Sequence, residues 1–546
     1  MAAPDLILTG APVYTMDAVR SWQEAVAITD GMITAVGFRD EVRSLAGQGT
    51  RVLDVTGCLV LPGFQDAHTH PPEGGLAQLQ CDLHELSERD EYLDAVRRYA
   101  QSHPDREWIL GDGWAMPAFP GGTPHRADLD AIVPDRPVVL VNRDGHGSWV
   151  NTRALEMAGI TSATADPVDG RIERDDQGPT GALHEGAMDL VGRVMPETTQ
   201  KEWEEGILIA QRDLHSLGIT AWQDARVEAT PLAAYRALLD RGELSPRVVL
   251  SLLWDHRQDE AQIAGLLERR DIGTHDTMSA NTVKIFQDGV AENFTAAMTE
   301  PYLDGSGAST GQSGLSMVPP DDLKRVVTLL DAHGFQVHFH AIGDRAVREA
   351  LDAVEAAWGV NGRRDARHHI AHIQLIHPDD IARFRQLGVI ANAQPFWACE
   401  DAQMRDLTIP FLGEPRVNWQ YPFASLRKAG ATMAFGSDWP VSTPDPLLEM
   451  EVAITRVGPD EPTARPFLPE QALDLPTCLA AFTIGAAYAN RLDDISGSIE
   501  VGKRADLCVL DRNIFESQGE EPLGEASVLL TLIDGKPVHA DPGLAW

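Results

Sequence analysis

Apolar and polar positions follow two rhythms along the chain. Near both ends the rhythm is short. "DLILTGAPVYTM", "EAVAITDGMITAVG" and "TRVLDVTGCLVLPG" are β-branched apolar runs broken by Gly and Asp, a pattern that predicts short strands joined by turns. The style returns in "SGSIEVGKRADLCVLDRN" and "VLLTLIDGKPVHA". One small β-sandwich domain is therefore expected, built from residues 1–60 and 492–546.

Between the ends a helix-then-strand unit recurs. In "PPDDLKRVVTLLDAHGFQVHFHAIGD", Leu323, Val326, Val327 and Leu330 repeat at helical spacing, Gly334 ends the helix, and "QVHFH" reads as a strand. "HPDDIARFRQLGVIANAQP", "FASLRKAGATMAFGSDWP" and "ILIAQRDLHSLGITAWQDA" follow the same plan. With "RVVLSLLW", "NTVKIFQDG", "HHIAHIQLI" and "LVLPGFQDAHTH", the candidate strands reach eight. This alternation predicts an α/β fold, a TIM-like (β/α)8 barrel over residues 61–491. Residues from about 80 to 200 break the rhythm with Pro- and Gly-rich turns. They are expected to form an insertion after the first barrel strand, positioned to roof an active site.

Composition narrows the partners. The 546-residue chain carries 82 Asp plus Glu against 45 Lys plus Arg, a formal net charge of -37. Such a charge repels phosphate backbones and anionic lipid, so neither nucleic acid nor a membrane is expected as a partner. No run approaches eighteen apolar residues, and "MAAPDLILTGAPVYTMD" lacks the basic start of a secretory signal, so the chain reads as cytoplasmic. The cysteines Cys58, Cys81, Cys399, Cys478 and Cys508 are odd in number and form no CxxC pair, as expected of reduced core thiols.

Candidate chemistry gathers at the predicted strand tips. His68 and His70 of "DAHTH" stand at i and i+2 and face one side of a strand, where two imidazoles can grip one metal ion. His340, His372 and Asp438 end other strands, and Lys284 lies inside the apolar strand "TVKIF". The C-terminal end of such strands is where barrel enzymes carry their active sites. A buried lysine is ordinarily snorkelling or ion-paired; it can also lose its proton and react, and with carbon dioxide it would become an anionic carbamate ligand.

The series "PGFQDAHTH", "VKIFQDG", "HFHAIGDRAV", "HHIAHIQ" and "FGSDWPV", closed by "SGSIEVGKRADLCVLD", resembles the amidohydrolase superfamily. Within it the chain looks most like the YtcJ-like branch of amidohydrolase family 3, which includes N-substituted formamide deformylase. The likeness spans nearly the whole chain, including "PDRPVVLVNRDGHGSWVNTRALEMAGI". It implies two divalent metal ions, with zinc as the default. His68, His70 and Asp438 would hold the more buried ion, His340 and His372 the more exposed one, and carboxylated Lys284 would bridge them. His340 is preferred over His338 because the family places its ligand directly before "AIGD". His368 and His369 are read as core or strand-edge residues, and Asp344 as a structural carboxylate capping the following helix.

The expected reaction is hydrolysis of a non-peptide C–N bond in a small-molecule amide, with Asp438 passing a proton to the leaving nitrogen. An ester, lactone, carbamate or cyclic amide as substrate, a deamination, and a metal-binding protein without catalysis all stay open. Arg143 and His146 of "NRDGHGSW" read either as pocket residues binding the acyl oxygen or as a packed turn. Trp114, Gln394 and Trp397 are further candidates to line the pocket. The branch often carries an acid after the residue matching Trp114, and here Ala115 follows. Oligomeric state is left open, a homodimer being one form such barrels take.

Overall fold

The computed structural model describes residues 3–516 and 521–544; residues 1–2, 517–520 and 545–546 of the expected terminal unit lie outside the described residues. Eight strands form the central sheet: β1 (Phe64–Thr69), β2 (Ile219–Val227), β3 (Arg247–Leu253), β4 (Met278–Phe286), β5 (Gln336–Ala341), β6 (His369–His372), β7 (Ile390–Ala393) and β8 (Met433–Phe435). They pair in that order, and each neighbouring ladder is parallel. These are the eight stretches whose apolar runs read as strands. Strands β1, β5, β6 and β7 are buried at every position, as parallel strands covered on both faces must be. Helix Pro320–Ala332 packs with Leu323, Val326, Val327 and Leu330 buried, the stripe that its 3.6-residue period predicts.

Side chains and loop backbone bring β8 against β1. Asp438 N–H donates to the His68 carbonyl at 2.7 Å, and His70 N–H donates to the Trp439 carbonyl at 2.8 Å. The Asp66 carboxylate accepts from His68 N–H at 3.0 Å, Ser437 N–H at 3.1 Å and the Ser437 hydroxyl at 2.6 Å. This approach needs Gly436, because a Cβ there would lie 2.5 Å from the His68 nitrogen. The result is a nearly closed (β/α)8 barrel.

Strands from both termini join in one eight-stranded sheet, in which Leu59–Pro62 pairs with Leu6–Tyr14 on one side and Leu507–Leu510 on the other. It encloses its own core of Leu8, Val26, Leu53, Val60, Leu507 and Leu530. A third sheet of six strands runs from Cys81–Asp82 to Gly178–Glu185 in the chain. The segment read as a turn-rich insertion is thus an ordered sheet, backed by helix Arg89–Ser102. All five cysteines are buried and free. Among the described residues no helix is long and apolar enough to cross a membrane.

Candidate metal centre and its cavity

The tips of β1, β6 and β8 converge. Asp438 Oδ1 lies 3.0 Å from His68 Nε2 and 3.1 Å from His70 Nε2, and Asp438 Oδ2 lies 3.8 Å from His372 Nδ1. His68, His372 and Asp438 are buried and each offers a ligand atom within 4.8 Å of the other two. His68 Nε2, His372 Nδ1 and Asp438 Oδ1 are all buried without a hydrogen-bond partner. An unsatisfied buried polar group costs about 1–3 kcal/mol, so three in one place is the signature of a missing shared partner. Burial holds His68 and His372 well below the ordinary histidine pKa, leaving neutral imidazoles with lone pairs to give. Although burial opposes it, the hydrogen bond from His70 and the neighbouring His372 hold the Asp438 carboxyl below its usual range. The donor set of two neutral imidazoles and one carboxylate fits a divalent cation.

Backbone strain marks the same places. His372 and Asp438 take φ of 75° and 56°, a left-handed conformation that non-glycine residues seldom hold. Gln394 fixes the first of them, its side-chain oxygen accepting from His372 N–H at 2.7 Å.

The other expected ligands stand around this core. His340 is 4.4 Å from His372 between ring centroids, and its Nε2 is 3.2 Å from the Gly289 carbonyl. Lys284 is fully buried, with Nζ 4.8 Å from the centre of the Phe286 ring. Burial brings its pKa down to about 7 against the pull of Asp438. His338 is not idle: its Nε2 shares a 2.7 Å hydrogen bond with His68 Nδ1, and its Nδ1 is 3.0 Å from the Ser251 hydroxyl. It sets the orientation of His68, as outer partners of ligating histidines do. His369 backs His338 at 4.0 Å between ring centroids, and His368 Nδ1 accepts from Val337 N–H.

Above the centre opens a cavity of about 810 Å³, a size suited to a small molecule. The insertion supplies one wall. After its strand Val138–Asn142 a turn presents Arg143 and His146 to the cavity. His146 Nδ1 lies 3.0 Å from Glu185 Oε2, and its ring is 5.2 Å from His340. Thr295 Oγ1 donates to Glu185 Oε1 at 2.8 Å. Burial alone would lower the His146 pKa, but the Glu185 carboxylate raises it to about 9. Gly289 admits this pair, since a Cβ there would sit 2.1 Å from Glu185 Oε1. Arg143 donates to the carbonyls of His84 at 2.5 Å and Leu86 at 3.1 Å. Trp397 stacks on His372 at 5.3 Å and lines the cavity.

Three expectations need correction. Trp114 does not wall the cavity: its indole N–H donates to the Leu140 carbonyl at 2.9 Å, and its ring packs on Phe119 and Trp149 in the insertion core. Gln394 is fully buried and holds the His372 backbone instead of lining the mouth. Asp344 does not cap its helix, whose N-cap is Gly343; its carboxylate accepts from Thr299 N–H at 2.9 Å and from the Thr299 hydroxyl, tying down a neighbouring loop. Sequence reading passed over Glu185 and Asp66. The only signal for Asp66 is its place two residues before His68, and Glu185 lies 39 residues from His146.

The comparisons agree on one family. A model described as the amidohydrolase family matches residues 51–539. Protein LONG AFTER FAR-RED 3 of Arabidopsis thaliana is 32% identical over 98% of this chain and 91% of its own length. N-substituted formamide deformylase of Arthrobacter pascens is 29% identical over 97% of each chain. Among solved structures, that of an uncharacterized metal-dependent hydrolase from Pyrococcus horikoshii superposes with a TM-score of 0.74 at 25% identity, covering 95% of this chain and 99% of that one.

Proposed function

The chain belongs to the amidohydrolase family, in its YtcJ-like branch, and from that premise we propose that it hydrolyses a non-peptide C–N bond in a small acyl amide. An N-substituted formamide is the first candidate, since a relative 29% identical over 97% of the chain carries the name N-substituted formamide deformylase. The observation that carries the reading is the group of three orphaned ligand atoms, on His68, His372 and Asp438, at the base of a half-open cavity.

His68, His70 and Asp438 would hold one divalent ion and His340 and His372 a second, with zinc as the default. Lys284 would lie between them. Its pKa of about 7 makes its amine free to add to carbon dioxide near neutrality, forming a carbamate with loss of a proton. Ions bound there supply an activated water, by lowering its pKa from 15.7 to about 7, and polarise a carbonyl.

The chain's own groups do the rest. Asp438, buried and ionised, takes the proton of the attacking water and returns it to the leaving nitrogen, so the amine departs neutral. His146, held by Glu185 and charged below about pH 9, donates a hydrogen bond to the acyl oxygen as negative charge builds there. His338 keeps His68 from turning. Trp397 lays an apolar face beside the acyl group and thins out water.

A panel of N-substituted formamides, acetamides, cyclic amides and esters, assayed with metal-loaded protein, tests the proposal. Release of an amine together with a carboxylic acid is the expected result. Turnover of esters alone would overturn it.

A further inference from the structure

A second group of ligand-type side chains lies outside the barrel lumen. The Gln223 amide of β2 reaches the Thr282 hydroxyl of β4 at 3.3 Å. Those strands are not neighbours, so the bond crosses the lumen, and the next residue, Asp224, points the opposite way, toward the helix layer. Asp224 pairs in register with Thr69 of β1, the residue before His70. Glu73 follows His70 by three positions in helix Pro71–Ala77, a spacing that brings two side chains together on a helical turn. His70, Glu73 and Asp224 each offer a ligand atom within 4.8 Å of the others.

These acids are not otherwise satisfied. Asp224 is 0% exposed; its Oδ1 accepts from Arg226 N–H at 3.1 Å, while Oδ2 is buried without a partner. Glu73 Oε2 is also buried and unpartnered. The Tyr235 hydroxyl faces Asp224 as a neutral donor, yet neither that hydroxyl nor Asp224 Oδ2 has a well-formed hydrogen bond, and a neutral hydroxyl leaves the paired negative charge unbalanced. No ion pair joins Glu73 or Asp224 to a basic side chain among the described residues, and Arg226 is drawn to Glu228 at 3.0 Å. Two carboxylates brought together away from water repel unless positive charge lies between them. Two carboxylate oxygens with one imidazole suit a divalent cation such as manganese or zinc. His70 and Glu73 both border the cavity, which gives an ion its way in.

We infer that His70, Glu73 and Asp224 form a further divalent-cation site in the wall of the barrel, with His70 shared as an imidazolate: Nε2 faces the hydrolytic centre, Nδ1 faces the ion of this further site, and the ring proton is released to solvent as that ion binds. Its ion neutralises the paired acids and fixes the His70 ring from the side away from the lumen. The site differs from the centre in make-up, with a carboxylate majority and no lysine.

The test is a count of Mn²⁺ per chain by elemental analysis after equilibrium dialysis of the full chain. Wild type, Glu73→Gln, Asp224→Asn and Asp438→Asn are compared, with melting curves in chelator to check folding. The inference expects Glu73→Gln and Asp224→Asn each to lose one Mn²⁺ relative to wild type. It also expects anomalous density of Mn²⁺-soaked wild-type crystals between the three side chains. Equal Mn²⁺ content in wild type and both variants, as two carboxyls sharing a proton would give, overturns it. If Asp224→Asn does not fold, Glu73→Gln, altered at the cavity edge, decides by the same count. Asp438→Asn separates this site from the hydrolytic centre: an ion that stays bound in that variant and disappears with Glu73→Gln belongs here.

Discussion

The two walls of the cavity are built on opposite principles. On the barrel side His68 Nε2, His372 Nδ1 and Asp438 Oδ1 are buried with nothing to bond. On the insertion side the charged groups arrive mostly engaged: His146 with Glu185, Glu185 with Thr295, and Arg143 with two backbone carbonyls through Nη2, its Nε being left over. A wall left unsatisfied at such cost is prepared for an ion. A wall largely satisfied within itself is prepared to hold one shape and charge toward a substrate. The difference teaches that orphaned atoms and paired atoms around one cavity mark different duties.

The sharpest way to break the comparison is on the barrel side. Asp438→Asn keeps the shape and removes the proton acceptor, so kcat is expected to fall by about 10²–10⁴-fold, the usual worth of a positioned acid–base group. Steady-state kinetics on the best substrate from the panel reads it, and unchanged kcat would remove Asp438 from the chemistry. Stripping the protein with a chelator should abolish turnover and lower the melting temperature. Ions at about 100 times their Kd stabilise the fold by roughly 2.7 kcal/mol, and re-addition should restore both readings.

On the insertion side the effects should be smaller and of another kind. Glu185→Gln removes the charge that lifts His146 to about 9. The raised value belongs to the folded state with Glu185 present, so without it His146 loses its proton at lower pH. The alkaline limb of the kcat/KM profile is expected to move toward acid in this variant. A limb that stays in place would detach His146 from the reaction. Smallest in activity is Trp114→Phe, which removes the indole donor to the Leu140 carbonyl and thins the packing of the insertion core. About 1–3 kcal/mol of stability should be lost with KM unchanged, since the ring does not reach the cavity. A raised KM would return Trp114 to the pocket wall.

Much of the barrel was legible because its physics is local. Strands buried on both faces read as apolar runs, and the glycine after each helix marks where the next strand begins. The i, i+2 spacing of His68 and His70 predicts that both reach one centre, and they do, although β1 ends at Thr69 and His70 already stands at the N-cap of the next helix. The insertion was not legible in this way, since glycines interrupt its strands, as in Ile109–Trp114 and Gly178–Glu185, and no regular helix-then-strand unit frames them. Nothing near "GALHEG" announces that Glu185 will meet His146. Trp114 and Gln394 were misread for one reason: a sequence position near the mouth does not say which way the side chain turns. Trp114 turns into the insertion core and Gln394 turns back to the His372 backbone.

The central claim is that the orphaned atoms of His68, His372 and Asp438 await metal. Crystals of metal-loaded protein, measured at the absorption edge of the added ion, test it most directly. Anomalous density in contact with all three side chains is the predicted result. A fully active protein whose map is empty at that cluster would contradict it.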